Sequence, residues 1–135
     1  MAIINWDSSL SVNIKLIDDQ HKKLVGMVNS LHDSMKDGKA KEVMGNLLAE
    51  LAAYTDYHFK TEEELFNKYN YAETTKHKAE HDTLRKEVAK LKQQYDNGEA
   101  IFTIEIMYFL KDWLSKHIMG SDKQYSSFLN SKGVV

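Results

Sequence analysis

The chain has no cysteine and no proline among its 135 residues. The absence of cysteine excludes disulfides, thiolate ligands and a cysteine nucleophile, so a bound metal must use imidazole and carboxylate groups. The absence of proline leaves long helices uninterrupted. No apolar run approaches the roughly eighteen residues that a membrane span needs, so we expect none.

The chain also has no large excess of either charge, because it contains 18 Lys and Arg residues and 20 Asp and Glu residues, for a net charge of −2. That balance gives no indication of nucleic acid or an acidic membrane surface as a partner. The first seven residues, MAIINWD, contain no basic stretch followed by an apolar run, so no secretory signal is predicted. We therefore expect a cytoplasmic protein.

Apolar residues recur at intervals of three and four, which is typical of amphipathic helices. The pattern predicts four long helices and a short terminal one, over residues 18–37, 41–67, 74–96, 103–119 and 122–129. Asp18 and Thr74 are predicted N-caps, and Gly38 is predicted to follow the first helix. Short connections between such helices predict an all-α fold, an up-down-up-down four-helix bundle.

The hydrophobic content of 42% is enough to close one core, so a single domain over residues 1–135 is expected. It divides into an extended N-terminal arm at 1–17, the bundle over about 18–119 and a C-terminal segment at 120–135 with the short helix. Within the arm, Trp6 and Val12 should pack across the bundle together with Ile14.

Five of the six histidines lie on the predicted core-facing stripes: His21, His58, His77, His81 and His117. His58 and Glu62 are four residues apart, as are His77 and His81, so each pair lies on one helical face. One histidine on an apolar face is more often a core residue bonded to a carbonyl group. Five of them without a shared partner would cost about 1–3 kcal/mol for each unsatisfied group, and antiparallel packing brings all five to one end of the bundle. The sequence therefore predicts a buried metal centre.

Two further residues are less constrained by position. His32 follows His21 by eleven residues, about 16 Å along a helix, so we expect a structural or surface role for it. Asp122 lies about 140° around an ideal helix from His117. A bulge allowed by Gly120 would turn its carboxylate inward, whereas a regular break would make it the N-cap of the last helix, and the residues leave both open.

The ligand set exceeds the four positions of a closed zinc site and suits two ions bridged by carboxylates. Mixed imidazole and carboxylate ligation is typical of non-haem iron, although zinc, copper and manganese accept the same groups. The Glu-x-x-His motif of ferritin-like bundles is not found at these positions.

Four segments resemble the motifs of hemerythrins, most closely those of the single-domain bacteriohemerythrins. They are IDDQH at 17–21, HFKTE at 58–62, HKAEH at 77–81 and HIMGSD at 117–122. Order, spacing and intervals all agree, and the resemblance covers nearly the whole chain.

The resemblance implies two non-haem iron ions beside a bridging oxo or hydroxo group. It assigns His77, His81 and His117 to one iron, and His21 and His58 to the other. Glu62 and Asp122 would bridge the pair, which makes Asp122 a ligand. One iron would then have an open position where dioxygen is held as hydroperoxide, for reversible oxygen storage, transport or delivery and not for catalysis.

Such a site needs a dry pocket, since water or protons would expel the bound oxygen. The candidate wall residues are Leu114, Trp113, Leu24 and Phe59, and for each of them a role as ordinary bundle core is at least as probable.

The alternative functions for such a centre are those of a di-iron oxidoreductase acting on peroxide or nitric oxide, or of an oxygen sensor working through a partner protein. We see no acid-base group beside the site that is not already a ligand, which favours reversible binding. Dioxygen is then the expected partner, with a possible oxygen-consuming enzyme as recipient, and the chain is expected to be a monomer.

Overall fold

A computed structural model describes residues 3–38, 41–99 and 104–135 of the chain. The described helices are α1 (Lys15–Lys36), α2 (Lys41–Tyr69), α3 (Thr74–Asp96), α4 (Ile104–Lys116) and α5 (Lys123–Ser131). A π-helical turn, His117–Asp122, joins α4 to α5 without a break. These residues contain no strand, which confirms the all-α prediction.

The four long helices form the predicted bundle. Helix α1 packs against both α2 and α4, and α2 packs against α3. Their apolar stripes meet in a bundle core that includes Leu24, Val28, Leu51, Leu84 and Leu110. None of the described helices combines the length and the apolar character that crossing a membrane requires.

Helix α1 begins three residues before the predicted start, so the predicted N-cap role of Asp18 is wrong. Ile14 occupies the N-cap position and makes no side-chain capping bond. The Asp18 carboxylate instead accepts hydrogen bonds from the Val12 backbone N–H at 2.8 Å and the Ser11 hydroxyl at 2.6 Å. It holds the arm to the first turn of the helix, and the arm therefore ends before Lys15. The arm is not extended throughout, because Ser8–Leu10 form a short 3-10 helix.

The sequence predicts that the fourth helix ends at position 119, but α4 ends at Lys116, where the π-helical turn begins. The other predicted helix ends within the described residues lie within two residues of the observed ones. Thr74 is the first residue of α3, and not its N-cap, and its hydroxyl donates to the Tyr71 carbonyl at 2.5 Å. Helix α2 runs two residues past the predicted end at position 67. Gly38 follows α1 with a φ of +64°, as predicted. The predicted start of the fourth helix at position 103 lies outside the described residues.

Side chains of α1 and α5 pin the arm to the bundle. The Asn29 amide bonds both the N–H and the carbonyl of Ile4, each at 2.9 Å, and the Ser126 hydroxyl donates to the Val12 carbonyl at 2.6 Å. Val12 and Ile14 are fully buried, as predicted, whereas Trp6 is half-buried against the bundle core.

Residues of the arm, of α1, α2 and α5, and of the connection between α2 and α3 close one end of the bundle in a second apolar group, here called the end cluster. Its buried members are Val12, Ile14, Ile17, Phe66, Tyr71, Tyr125 and Leu129. The bundle core and the end cluster are separate groups of side chains.

Two glycines of the first helical segment should respond in opposite ways to alanine. Gly26 lies within α1 with nothing within 4 Å of an added Cβ, so Gly26→Ala should raise the free energy of unfolding by about 0.5–1 kcal/mol. Gly38→Ala should lower it by about 1 kcal/mol, because a φ of +64° strains an L residue. Equilibrium urea unfolding measures both free energies. Changes of the same sign would contradict the helical conformation of Gly26 or the left-handed conformation of Gly38.

Candidate metal centre

Five imidazoles and two carboxylates are buried together at one level of the bundle. Their exposed fractions lie between 0% and 6%. They come from α1, α2, α3 and the π-helical turn: His21, His58, Glu62, His77, His81, His117 and Asp122.

The π-helical turn brings Asp122 into this group. The Lys123 N–H bonds the Ile118 carbonyl five residues back, instead of four, so the turn contains one extra residue. As a result, Asp122 Oδ1 lies 3.0 Å from His117 Nε2. Asp122 precedes α5 but makes no capping bond. Gly120 does not adopt the left-handed conformation, so the bulge does not depend on the special freedom of glycine.

The ligand atoms fall into two overlapping sets, in each of which they lie within 4.8 Å of one another. One set contains His77, His81 and His117, and the other contains His21 and His58. Both sets include Glu62 and Asp122.

The two carboxylates lie between histidines of different helices. Asp122 Oδ2 is 3.0 Å from His21 Nε2, and Oδ1 is 2.8 Å from His77 Nε2. Glu62 Oε1 is 3.1 Å from His58 Nε2 and 3.2 Å from His81 Nε2.

Most of these close contacts lack the angles of hydrogen bonds. Within the described part of the chain, buried atoms without a hydrogen bond include Nε2 of four of the histidines, Oε1 of Glu62 and both oxygens of Asp122. Each such group costs about 1–3 kcal/mol when nothing satisfies it. Unpaired imidazole and carboxylate atoms that converge from several helices fit bound cations, which would satisfy them together.

Outer partners fix the orientation of two rings. His58 Nδ1 lies 2.6 Å from Gln20 Oε1, and His81 Nδ1 lies 2.8 Å from Glu63 Oε2. Because both oxygens accept, each ring donates from Nδ1 and keeps the lone pair of Nε2 for a metal. Arg85 in turn donates to Glu63 at 3.1 Å. Sequence analysis missed these partners, although Gln20 and Glu63 each adjoin a predicted ligand.

Tyr125 is a further residue that the sequence did not reveal. It is fully buried in the end cluster, and its hydroxyl donates to Glu62 Oε2. Burial and the charges of Glu62 and Asp122 raise the pKa of Tyr125 well above its usual value, so its hydroxyl remains a donor. This bond occupies one Glu62 oxygen and leaves Oε1 facing the histidines.

Aromatic rings cover the polar level on both sides. Towards the bundle core, Phe59 stacks on His81 with ring centroids 3.8 Å apart, and Trp113 stacks on His117 at 4.4 Å. Towards the end cluster, the edge of Phe66 meets His77 at 4.8 Å. The polar groups are therefore enclosed by apolar surface.

A cavity of about 20 Å³ adjoins the cluster, enough space for one water-sized molecule. His21, His58, His117 and Asp122 contribute to its wall. The structure also places around it the four residues predicted for an apolar pocket: Leu24, Phe59, Trp113 and Leu114.

His32 belongs to neither set of ligand atoms. Its half-buried side chain has Nδ1 3.9 Å from Asp33 Oδ1, in the same helix.

The cluster is strongly coupled electrostatically. Burial alone would raise the pKa of Asp122, but His117, His21 and His77 outweigh it and hold that pKa well below its usual value. The pKa of Glu62 is lowered too, because His58 and His81 overcome burial and the charge of Asp122. Burial lowers the pKa of His117, yet Asp122 and Glu62 raise it above its ordinary value.

These shifts predict the pH dependence of the metal-free protein. Asp122 stabilises the fold above the unfolded carboxyl pKa of about 3.9, and this contribution is lost as the pH falls through the lower folded-state pKa. His117 stabilises below its unfolded pKa of about 6.5, and its contribution is lost as the pH rises through the raised folded-state pKa. Stability should therefore be greatest between roughly pH 4 and 6.5.

Urea midpoints measured across pH on chelator-treated protein test this expectation. Asp122→Asn should flatten the acid side of the profile, and identical acid slopes in the variant and the unsubstituted protein would contradict it.

A helical bundle with this enclosed set of imidazoles and carboxylates defines a four-helix-bundle protein with a potential metal-binding site. Comparison with known families narrows the class, since a family model described as the hemerythrin HHE cation binding domain matches residues 12–129. The chain belongs to the hemerythrin family.

Individual relatives agree over most of their length. A bacteriohemerythrin of Methylococcus capsulatus is 39% identical, with 97% of this chain and all of that protein covered. A hemerythrin-like protein of Naegleria gruberi is 38% identical over 93% of this chain and 92% of its own. A solved wild-type hemerythrin superposes with a TM-score of 0.89 and 38% identity, covering 93% of this chain and 97% of the other.

Proposed function

We propose that this protein binds dioxygen reversibly at a di-iron centre, for oxygen storage, transport or delivery. The observation that carries the proposal is the small cavity against the buried histidine and carboxylate cluster. Its wall combines possible iron ligands with Leu24, Trp113 and Leu114, so a small neutral molecule can lie beside the metals with little water.

The two sets of ligand atoms would hold one iron each. Three histidines and two shared carboxylates supply five positions to one ion, and two histidines with the same carboxylates supply four to the other. A shared oxo or hydroxo bridge would bring these numbers to six and five. The open position would then belong to the ion held by His21 and His58, and both of these residues line the cavity. Of the three histidines that would hold the other ion, only His117 lines it among the described residues.

Bound ferrous ions would supply the open position and the electrons that dioxygen takes up and later returns. The protein's own part is to hold and enclose them. Gln20 and Glu63 orient two of the rings, Tyr125 holds Glu62, and the aromatic rings on both sides exclude water.

We infer that the protein is not an enzyme. Among the described residues that line the cavity, every titratable group belongs to the cluster itself. No acid or base then remains to deliver or remove protons during turnover. Rapid consumption of peroxide or nitric oxide by the iron-loaded protein would contradict this inference.

The test begins with protein reduced anaerobically and its iron counted. Oxygen is then admitted and removed while the visible spectrum is followed. Two irons per chain and a charge-transfer band that appears with oxygen and vanishes on its removal are expected. Absence of iron would overturn the di-iron assignment, and a band that decays irreversibly within seconds would overturn reversible binding.

A further inference from the structure

Thr55 is a polar residue within the wall of the cavity. Its exposed fraction is 4%, and it lines the same space as His21 and His58. It precedes His58 by three residues on α2, so the two side chains lie on one face about one helical turn apart.

The hydroxyl of Thr55 differs from those of other helical threonines in this chain. Thr61 and Thr83 donate to the carbonyls of Tyr57 and Ala79, four residues back, at 3.1 Å each, as helical threonines often do. For Thr55, residues 3–38, 41–99 and 104–135 provide no hydrogen-bond partner. The side-chain oxygen of Thr55 is also not among the fully inaccessible atoms that lack a hydrogen bond, so part of its surface remains accessible.

The hydroxyl of Thr55 lies among apolar side chains in the wall of the cavity. Beyond the cluster itself, the cavity is lined by aliphatic and aromatic side chains such as Val28, Leu51 and Val88. Thr55 also borders a surface groove between α2 and α3, so solvent in that groove can satisfy its hydroxyl. On the cavity side it is the one hydroxyl among the described lining residues, three residues before His58, where it can meet the end of a ligand held beside the cluster.

We propose that Thr55 positions the ligand by donating a hydrogen bond to its free end. The chemical class is a small linear molecule with lone pairs and negative charge at that end, such as dioxygen after it has taken up electrons, or azide. The inference rests on the proposed function and adds a residue that determines how tightly the ligand is held.

Azide binding to the ferric protein tests the hydrogen bond at equilibrium. Thr55→Val removes the hydroxyl and keeps the shape, so the Kd of azide and the dissociation rate of dioxygen should each rise about tenfold, the effect of one hydrogen bond to a charged acceptor. Thr55→Ser keeps the donor and should stay within about twofold of the unsubstituted protein.

Thr83→Val is the matched control, because it makes the same change on α3 at an exposed threonine that does not line the cavity. It should leave the Kd of azide within about twofold. Equal values for Thr55→Val and the unsubstituted protein would overturn the proposal.

Crystals of the metal-free protein give a readout that needs no iron. A water bonded to Thr55 Oγ1 inside the cavity is expected in the unsubstituted protein and in Thr55→Ser, and it should be absent from Thr55→Val. A Thr55 hydroxyl that is turned away from the cavity would overturn the proposal even if dioxygen binds. Conversely, a protein that holds this water but takes up no iron would show that the proposed function, and not the position of the hydroxyl, is wrong.

Discussion

Asp122→Ala should lower the iron content of the anaerobically loaded protein from two ions per chain to one or none. Asp122 belongs to both sets of ligand atoms, and its oxygens lie 2.8–3.0 Å from His21, His77 and His117. Its loss therefore removes one ligand from each ion and the group that holds the sets together. Iron counted after gel filtration measures the effect.

Thermal unfolding gives a second measure of the same loss. Ligands that bind only the folded state stabilise it, so two ions at about a hundred times their Kd should raise the unfolding midpoint by roughly 10 °C or more. Asp122→Ala should lose most of that increase.

His32→Ala is the control, because His32 lies outside both sets and should leave the iron content unchanged. Two tightly held ions in Asp122→Ala would refute the shared role of this carboxylate.

Leu114→Ala should accelerate autoxidation of the oxygenated protein at least about tenfold, since a larger cavity admits the water and protons that apolar walls exclude. Leu114 is 7% exposed, lines the cavity and precedes His117 by three residues. The decay of the oxygenated band in air measures the rate.

Leu114→Ala should also destabilise the fold, because Leu→Ala in a core lowers the free energy of unfolding by about 2–5 kcal/mol. A control must therefore separate this loss of stability from the effect on autoxidation. Leu91→Ala is suited to that comparison, since Leu91 is 4% exposed but packs with Leu48 in a different cluster. It should destabilise similarly and leave autoxidation unchanged. Equal autoxidation rates in Leu114→Ala and the unsubstituted protein would remove Leu114 from the oxygen pocket.

Much of the bundle could be predicted from the sequence, because helix periodicity is local information. The stripes that carry His21 on α1 and Leu84 on α3 repeat at three and four residues, and burying such stripes against each other leaves few architectures. That the five histidines lie at one end of the bundle also followed from the antiparallel packing of the helices.

Features that depend on distant residues could not be predicted in this way. Gln20 meets His58 across 38 positions and Tyr125 meets Glu62 across 63, and no local pattern encodes either contact. The start of α1 was misplaced for a related reason. Asp18 has the chemistry of an N-cap, but the arm takes up its carboxylate through Val12 and Ser11, which only the folded chain brings within reach.

The role of Asp122 could not be predicted from its chemistry, because it depends on the local helix geometry. The residues alone left a capping role and an inward role equally open, since a regular helix turns this side chain away from His117. The structure places it inward through a π-helical turn whose hydrogen bond joins Lys123 to Ile118.

That turn also shifts the sequence spacing of the inward-facing stripe by one residue, while the helix stays continuous. On its first side, Leu114 and His117 face the interior in the phase of α4, and on its second, Tyr125 and Leu129 face it in the phase of α5. Deleting one residue from 118–121 would place Asp122 four residues after His117, the spacing at which a regular helix keeps both side chains on one face. The π-helical turn is therefore what lets α4 and α5 keep a common inward face across one additional residue.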